Sequence, residues 1–279
     1  TVMGELSKLL FVASMADVPN ALLGLTLQDT IGYLCQPGKD ITRVKKALDD
    51  FIMKAWYLYT DRDGRLFFKN TKNMIAEINT LVESYDKDIA KKELKGFLKD
   101  IFKPTLGDCY QDVQVFPAVD EIRISDDKIN LVLFEPYSDG GLKPDLSAFY
   151  ENTRLKNRMM FLSGRRNTMD NLIRTAKERK AVQVIIGRMI DEKVPENNPQ
   201  FEKATDKLDK VTLNLLQAAR ETFLTLFYPA KKAMMSVDFL MEFSDNNYNG
   251  EKQIRAVLLK RQKFTEDITG DTFKRKCED

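Results

Sequence analysis

Residues 41–69 constrain the fold more than any other segment of this chain. In the first half of the segment, apolar side chains recur at steps of three and four, as they do along one face of an α-helix; they are Ile41, Val44, Leu48 and Ile52. The second half contains two runs rich in aromatic residues, 56–59 and 66–68, which have high strand propensity. Between them lies Asp63-Gly64, and an Asp-Gly pair is a strong signal for a tight turn. The segment therefore predicts a helix that leads directly into a two-stranded hairpin.

The residues upstream complete the pattern of a winged helix-turn-helix. Residues 2–16 favour a first helix because leucine, valine and alanine recur at helical spacing. Thr26, with Asp29 three positions later, is typical of a cap at the start of a second helix. After a turn at 36–40 comes the third helix, from Thr42, and then the hairpin. This is the order of a winged helix, so we expect one over residues 20–70, with Trp56 in its core.

The rest of the chain predicts a helix-rich α+β protein with two domains. Residues 71–85 and 89–102 have the apolar periodicity of two amphipathic helices. Their predicted buried residues are Met74, Ile75, Ile78 and Leu81, followed by Leu94, Phe97, Leu98 and Ile101. Lys103-Pro104 ends the second of these helices, which predicts a winged-helix domain with two trailing helices at 1–104. Residues 105–279 are predicted to form a small α/β domain with a long helical hairpin.

Strand and helix signals alternate in this second region. The predicted strands before the helical hairpin are 112–116, 129–134 and 157–163. A helix capped at Thr168 is expected from Met169, and its apolar stripe continues through 182–186 despite the strand propensity of that run. Residues 201–228 are predicted to form one long helix that ends at Pro229. The last predicted elements are a strand at 235–243 and a helix at 254–264.

Composition and charge limit the classes of function that the chain can have. With 43% hydrophobic and 31% charged residues, the 279-residue chain is typical of a globular protein. Its net charge of +2 gives no global attraction for polyanions, so any nucleic-acid site is expected to be a local patch. The apolar runs are too short to span a bilayer, and we expect no membrane partner.

Cysteine usage predicts a cytoplasmic location. The chain has an odd number of scattered cysteines and no C-x-x-C pair, which favours reduced thiols; they are Cys35, Cys109 and Cys277. The sequence begins with threonine rather than methionine, so we expect it to be processed or to be cut from a longer chain.

The absence of histidine argues against catalysis by these residues. Without histidine there is no Ser-His or Cys-His nucleophile pair and no zinc site with imidazole ligands. A P-loop is also missing, because Gly38-Lys39 is preceded by Pro37, is followed by Asp40, and has Tyr33 in place of the first glycine. We therefore expect neither a metal nor a nucleotide cofactor within these residues.

Basic residues in the winged-helix segment are the first candidate binding site. They are Arg43, Lys45 and Lys46, near the start of the predicted groove-reading helix, and Arg65 in the wing. Such positions predict contacts with the phosphates or base edges of duplex DNA. Asp49 and Asp50 follow and would repel phosphates. A solvated face of mixed charge, or a winged helix that packs against a partner protein, is the alternative.

A second candidate is the pair Arg165-Arg166. It follows a predicted strand and precedes the helix capped at Thr168, where an anion is favoured by the helix N-terminus. A polar loop with no ligand is the alternative.

Three stretches carry a resemblance to a known family: residues 19–26 (PNALLGLT), 149–153 (FYENT) and 226–229 (LFYP). The chain resembles a region of large AAA+-type ATPases classified only as a domain of unknown function. Their genes lie beside DNA methylases and helicases in bacterial and archaeal restriction and phage-defence clusters. In that family the P-loop core is N-terminal to such a region. The resemblance therefore implies ATP and Mg²⁺ for a parent protein and not for these residues.

Three functional hypotheses follow. The first is a non-catalytic region of such an ATPase, whose winged helix contacts duplex DNA. The second is a protein-interaction scaffold of the same machine, which binds the upstream ATPase core or other defence-system proteins without touching DNA. The third is a free-standing winged-helix transcription regulator, in which the region after Cys109 serves dimerisation or ligand binding.

Overall fold

The computed structural model of the protein describes residues 1–15, 23–38, 40–69, 73–137, 141–230, 233–243, 248–266, 269–271 and 274. Contacts within the chain divide it into two compact units. The amino-terminal unit comprises Thr1–Asp86 and Ala181–Thr205, and the sheet unit comprises Lys87–Lys180 and Asp206–Asp279. The predicted domain boundary after Pro104 does not coincide with any boundary between these units. It stays a prediction about which parts of the chain fold independently. Residues 19–22, Lys39 and Cys277, named above, lie outside the described residues.

The amino-terminal unit combines helices with a small antiparallel sheet. In chain order its first elements are α1 (Val2–Ala13), β1 (Leu25–Thr26), α2 (Leu27–Leu34), α3 (Ile41–Lys54), β2 (Leu58–Thr60), β3 (Arg65–Phe68) and α4 (Met74–Ser84). The strand order is β1-β3-β2, and both pairings are antiparallel. The three predicted helices and the hairpin are confirmed, while β1 is an element that the sequence did not predict.

Short-range hydrogen bonds explain where α2 and α3 begin. The predicted cap of α2 is confirmed, because Asp29 N–H donates to Thr26 Oγ1 and Thr26 N–H donates to the Asp29 carboxylate, at 3.1 and 3.3 Å. The start of α3 is fixed by Asp40, whose carboxylate accepts from the backbone N–H of Thr42 at 2.9 Å. Each of these oxygens satisfies an N–H that the helix itself cannot pair.

We expect Asp40→Ala to lower the free energy of unfolding by about 1 kcal/mol, because it removes this cap from α3. Chemical denaturation measures the change. Asp49→Ala is the matched control, since Asp49 is exposed in the middle of the same helix and should change stability by less than about 0.5 kcal/mol. Equal losses in the two variants would show that the cap contributes nothing.

The hairpin turns where the sequence predicts it. Thr60 faces Leu66, and Asp61 N–H donates to the Arg65 carbonyl, which leaves a three-residue loop. Gly64 is the last residue of this loop and has a φ of +74°, in the left-handed region that glycine adopts without strain. The Asp61 carboxylate accepts from the backbone N–H of Asp63 and of Arg65, at 3.0 and 2.8 Å, and so fixes the turn.

Side chains from three helices and the hairpin form the core of the amino-terminal unit. These buried residues are Leu6, Leu10, Leu34, Val44, Leu48, Leu58 and Leu66. Ile41, which begins the apolar stripe of α3, is 51% exposed. The predicted burial of Ile75, in α4, was wrong, since this residue is 64% exposed. In place of Ile75 the helix buries Glu77, which forms an ion pair with Arg188 of the same unit.

The sheet unit contains a mixed five-stranded sheet of order β4-β5-β6-β7-β8. The strands are β4 (Asp112–Val115), β5 (Asn130–Leu133), β6 (Met159–Gly164), β7 (Phe223–Pro229) and β8 (Met234–Asp238). The first three are mutually parallel, whereas β7 and β8 are antiparallel additions. The helices that follow α4 are α5 (Lys87–Ile101), α6 (Pro144–Asn152), α7 (Met169–Asp191), α8 (Pro199–Thr222) and α9 (Gly250–Lys260).

Both faces of this sheet are covered, which explains the continuous apolar runs of its central strands. Leu131 and Leu133 of β5 lie in one core with residues of α5, α7, α8 and α9, while Val132 lies in a second core with Leu146 and Tyr150 of α6. Strands buried on both faces are apolar throughout rather than alternating. The three predicted strands and the helical character of 182–186 are confirmed.

The prediction of one helix over residues 201–228 was wrong. Helix α8 ends at Thr222, and the next residues form β7, which pairs with β6 on one side and with β8 on the other. The physical reason is an ambiguous period: Ala219, Phe223 and Leu226 are spaced by four and three, as on a helix face. Residues 223–228 are nevertheless mostly aromatic or apolar, and a strand there completes two hydrogen-bonded ladders.

The sequence also missed α6 and misplaced two later elements. Strand β8 covers 234–238 rather than 235–243, and α9 covers 250–260 rather than 254–264. Within the described residues, no helix is both long enough and apolar enough to cross a membrane.

Candidate nucleic-acid interface

The predicted DNA-binding residues of α3 lie on its exposed side but do not share one direction. Arg43, Lys45 and Lys46 are all exposed, and Val44 and Leu48 define the buried side. At 3.6 residues per turn, Lys46 lies near the centre of the exposed face, whereas Arg43 and Lys45 are separated by about 160° around the axis. One ligand can therefore contact Lys46 together with either Arg43 or Lys45. The remaining cation then lies at the side of the helix, away from the ligand.

Charge changes sign along the exposed face of α3. The first turns carry the three cations, and Asp49 and Asp50 follow Lys45 and Lys46 by one turn each. In a helix-turn-helix, the N-terminal residues of the recognition helix contact the bases. The predicted DNA contact therefore lies at the basic end of α3, and the acidic residues limit the attraction of this helix for phosphates.

Arg65, the predicted contact in the wing, is already engaged within the small sheet. Its Nη1 donates to the carbonyl of Gly24 at 2.9 Å and so ties β1 to β3. Hydrogen bonds from Thr26, with a smaller contribution from the charge of Arg65, hold the pKa of the Asp29 carboxyl below its usual range. Arg65 therefore has a structural role, and its contact with DNA stays a prediction.

The outer face of the hairpin carries an aromatic pair that the sequence analysis missed. Tyr59 and Phe67 are cross-strand partners, and their ring centroids are 6.4 Å apart. The Lys69 ammonium lies 5.0 Å from the Tyr59 centroid and 5.2 Å from the Phe67 centroid. The register of the hairpin brings these three side chains together, and the sequence signal that could have indicated it is the spacing of Phe67 and Lys69 by two.

Trp56, in contrast, points to a role in packing. Its ring is half-buried, and Nε1–H donates to the Thr80 hydroxyl of α4 at 3.0 Å. The hydrogen bond links Trp56 to α4 and gives it a structural role, but Trp56 lies outside the core of this unit, where the sequence had placed it.

The predicted anion site at Arg165-Arg166 includes a carboxylate. Glu135, which follows β5, lies with its Oε2 3.6 Å from Arg166 Nη1 and its Oε1 2.6 Å from Lys91 Nζ. The hydroxyl of Thr168 donates to the Arg165 carbonyl at 3.0 Å, and α7 begins one residue later. Since Glu135 neutralises part of the local positive charge, it opposes a second anion. The anion site stays a prediction.

Asp108, Cys109 and Glu251 form a cluster with the spacing of a metal site, the one such group among the residues described here. Its two carboxylates have other partners. Asp108 forms an ion pair with Arg255, whose Nε lies 2.7 Å from Oδ2. Glu251 accepts four hydrogen bonds from residues 105–107. Burial, with the nearby charges of Asp108 and Glu251, raises the pKa of the Cys109 thiol to about 12. Because both carboxylates are already paired, the contacts favour a structural role for this cluster, which links residues 105–108 to α9.

The amino-terminal unit also contains a cavity of about 280 Å³. It is lined by Met74, Glu77, Ile185, Arg188, Met189, Glu192, Val194, Asn198 and Gln200. Glu77 and Arg188 form an ion pair within it, and Glu192 is the third charged residue of its lining.

Comparisons of this chain with protein-family models, with curated proteins and with solved structures find no match. In the function proposed below, the DNA contact therefore rests on the geometry of α3 and of the hairpin, and the link to an ATPase rests on the resemblance described above.

Proposed function

We propose that the amino-terminal unit contains a winged helix-turn-helix and that the chain is a non-catalytic, DNA-associated region of an AAA+-type ATPase. One observation carries the proposal: the elements follow one another as α1-β1-α2-α3-β2-β3, with an antiparallel sheet of order β1-β3-β2. In a winged helix, α2 and α3 form the helix-turn-helix and β2 and β3 form the wing.

Strand β1 supports this assignment because it joins the helices to the wing. Leu25 and Thr26 pair with Leu66 and Arg65. Gly24, just before β1, has a φ of +77°, and a Cβ atom there would lie 2.1 Å from the carbonyl oxygen of Leu66. The close approach of β1 to β3 therefore requires glycine at this position.

The link to an ATPase rests on the resemblance of residues 19–26, 149–153 and 226–229 to ATPases of restriction and phage-defence clusters. Since the sequence lacks a P-loop, ATP and Mg²⁺ are assigned to an upstream core of a parent protein. That core and other defence-system proteins are the proposed protein partners, and the cytoplasmic location indicated by the cysteines is part of the same proposal. An upstream P-loop in the full reading frame is the expected finding, and a complete gene limited to these residues would favour the transcription regulator.

In this function the basic end of α3 binds duplex DNA weakly and without strong sequence preference. Two or three lysine or arginine contacts to phosphates give binding of about 10⁻⁴ to 10⁻⁶ M at physiological salt. The acidic residues Asp49 and Asp50 keep the affinity low, so tight binding requires the parent assembly.

A duplex titration at low and at moderate salt tests this contact. We expect Lys45→Glu/Lys46→Glu to weaken binding and to reduce the slope of log K against log salt by about 1.8, which is 0.9 for each of two lost phosphate contacts. Lys92→Glu/Lys95→Glu is the matched control, since both lysines are exposed on α5 of the sheet unit. Equal binding by wild type and the α3 variant would remove α3 as a DNA surface.

A scaffold without DNA contact is the second candidate, and the apolar residues exposed on α3 favour it. Ile41 is 51% exposed and Met53 is 54% exposed, on the same helix as the mixed charges. Copurification with the proposed ATPase core, lost in Met53→Glu and retained in Lys45→Glu/Lys46→Glu, would support this function over DNA binding.

A further inference from the structure

The outer face of the hairpin presents aromatic rings where a solvent-facing sheet ordinarily has polar side chains. We call the set formed by Tyr57, Tyr59, Phe67 and Lys69 the wing platform. Tyr57 is 42% exposed, Tyr59 and Phe67 are partly exposed, and Lys69 is exposed. The opposite face is the core face, where Leu58 and Leu66 are each 2% exposed. Burial in the core therefore does not explain the aromatic residues of the outer face.

We propose that the wing platform binds single-stranded DNA, with bases stacked on Tyr59 and Phe67 and the linking phosphate paired with Lys69. This inference goes beyond the proposed contact of α3 with duplex DNA, because it concerns another surface and another form of the nucleic acid.

The separation of the rings favours a single strand. Successive bases in one strand of a duplex are about 3.4 Å apart, whereas the Tyr59 and Phe67 centroids are 6.4 Å apart with an interplanar angle of 33°. Two bases of an extended strand can each meet one ring at this separation, and two stacked neighbours of a duplex cannot. Stacking also requires bases whose faces are accessible, as they are in unpaired DNA.

Charge complementarity selects an anionic partner that also has π-faces. The Lys69 ammonium lies over both rings, 5.0 and 5.2 Å from their centroids, so it attracts a phosphate to the platform and turns aside from the ring faces when bases stack there. The turn 61–65 contains two aspartates and two arginines, so its charges sum to zero and Lys69 supplies the net positive charge of the platform. A nucleic-acid strand supplies both the phosphate and the bases in one chain.

Fluorescence anisotropy with the full chain and a labelled 12-nucleotide oligo-dT tests the proposal at low salt. In Tyr59→Leu/Phe67→Leu the side chains stay apolar but lose their rings, and the dissociation constant should rise at least about tenfold. Tyr59→Phe keeps the ring and should stay within about twofold of wild type. Lys69→Glu should weaken binding and reduce the salt slope by about 0.7, the value for one phosphate contact in a single strand.

Measuring each variant with both duplex DNA and oligo-dT distinguishes the α3 surface from the wing platform. Tyr59→Leu/Phe67→Leu should leave duplex binding unchanged, and Lys45→Glu/Lys46→Glu should keep most of the oligo-dT binding. A circular dichroism melt of each variant confirms that it is folded. Oligo-dT binding that is absent in wild type, or equal in folded wild type and the double leucine variant, overturns the proposal. Loss of copurification with an ATPase core in the leucine variant, with oligo-dT binding intact, assigns the platform to a protein instead.

Discussion

Gly164→Ala should destabilise the sheet unit by about 3 kcal/mol or more, because the added methyl group has no room. Gly164 ends β6 at the point where its register with β7 shifts. An alanine Cβ would lie 1.8 Å from the Thr222 carbonyl oxygen and 2.7 Å from the Leu224 nitrogen. Both neighbours are backbone atoms, so relief requires β6 and β7 to separate. Such a movement would also weaken the hydrogen bond from Arg165 N–H to the Thr222 carbonyl.

Chemical denaturation followed by circular dichroism measures this loss of stability. Gly96→Ala is the control, and it should change the stability in the opposite direction. Gly96 is exposed in α5 of the same unit and has no atom within 4 Å of the position of an added Cβ. Alanine there should stabilise the protein by up to about 1 kcal/mol, since it has the higher helix propensity. If Gly164→Ala unfolded at the same denaturant concentration as wild type, the close approach of β6 and β7 would be refuted.

The same junction shows where the sequence failed to predict the fold. The period of residues in 219–226 fits both a helix face and a strand that is covered on both sides, and only the neighbouring strands β6 and β8 decide between them. The two-residue strand β1 has no period at all, so only its pairing with β3 reveals it. Longer periodic segments, such as α3 and α7, were predicted correctly because one amphipathic stripe settles the type of element.

Ion pairs between distant residues were equally hidden from the sequence. Ile75 was expected to be buried because it continues the apolar stripe of α4, but Glu77 is buried in its place. Its partner Arg188 is 111 positions away in the chain. A local pattern cannot show that a carboxylate has a guanidinium to neutralise it, so the pattern assigns the wrong residue to the core.

The candidate DNA-binding surfaces show the same contrast between local patterns, which the sequence reveals, and contacts between distant residues, which it does not. The cations of α3 were found from the sequence because a helix and its first turns can be recognised locally. The wing platform was missed because the contact of Tyr59 with Phe67 depends on the cross-strand register. That register follows from the three-residue loop with Gly64 at its end, whereas a loop one residue shorter or longer would give Tyr59 another partner.

Glu251→Gln should lower the free energy of unfolding by about 2 kcal/mol near neutral pH, because it removes the charge from a buried hydrogen-bonded carboxylate. Glu251 is 1% exposed in the first turn of α9. Its carboxylate accepts from Thr105 N–H and Oγ1–H at 2.5 and 2.7 Å, from Leu106 N–H at 2.8 Å and from Gly107 N–H at 2.6 Å. A glutamine places its NH₂ group against one of these donors and leaves that donor unpaired.

The destabilisation should depend on pH. Burial would raise the pKa of Glu251, but hydrogen bonds from Leu106, Thr105 and Gly107 lower it below the ordinary value of 4.5. The folded state therefore binds fewer protons than the unfolded state around that pH, and the stabilisation by Glu251 is complete above about pH 4.5 and is lost as the pH falls through the folded-state pKa.

Denaturation of wild type and Glu251→Gln across this pH range checks the sign. The difference in unfolding free energy between the two proteins should be largest near pH 7 and should shrink at acid pH, where the protonated glutamic acid, like glutamine, is uncharged and has a donor among its polar atoms. Glu242→Gln, at an exposed position of the same unit, should change stability by less than about 0.5 kcal/mol at any pH. A difference for Glu251→Gln that grew as the pH fell would show that burial, rather than the three backbone N–H donors, controls this carboxylate.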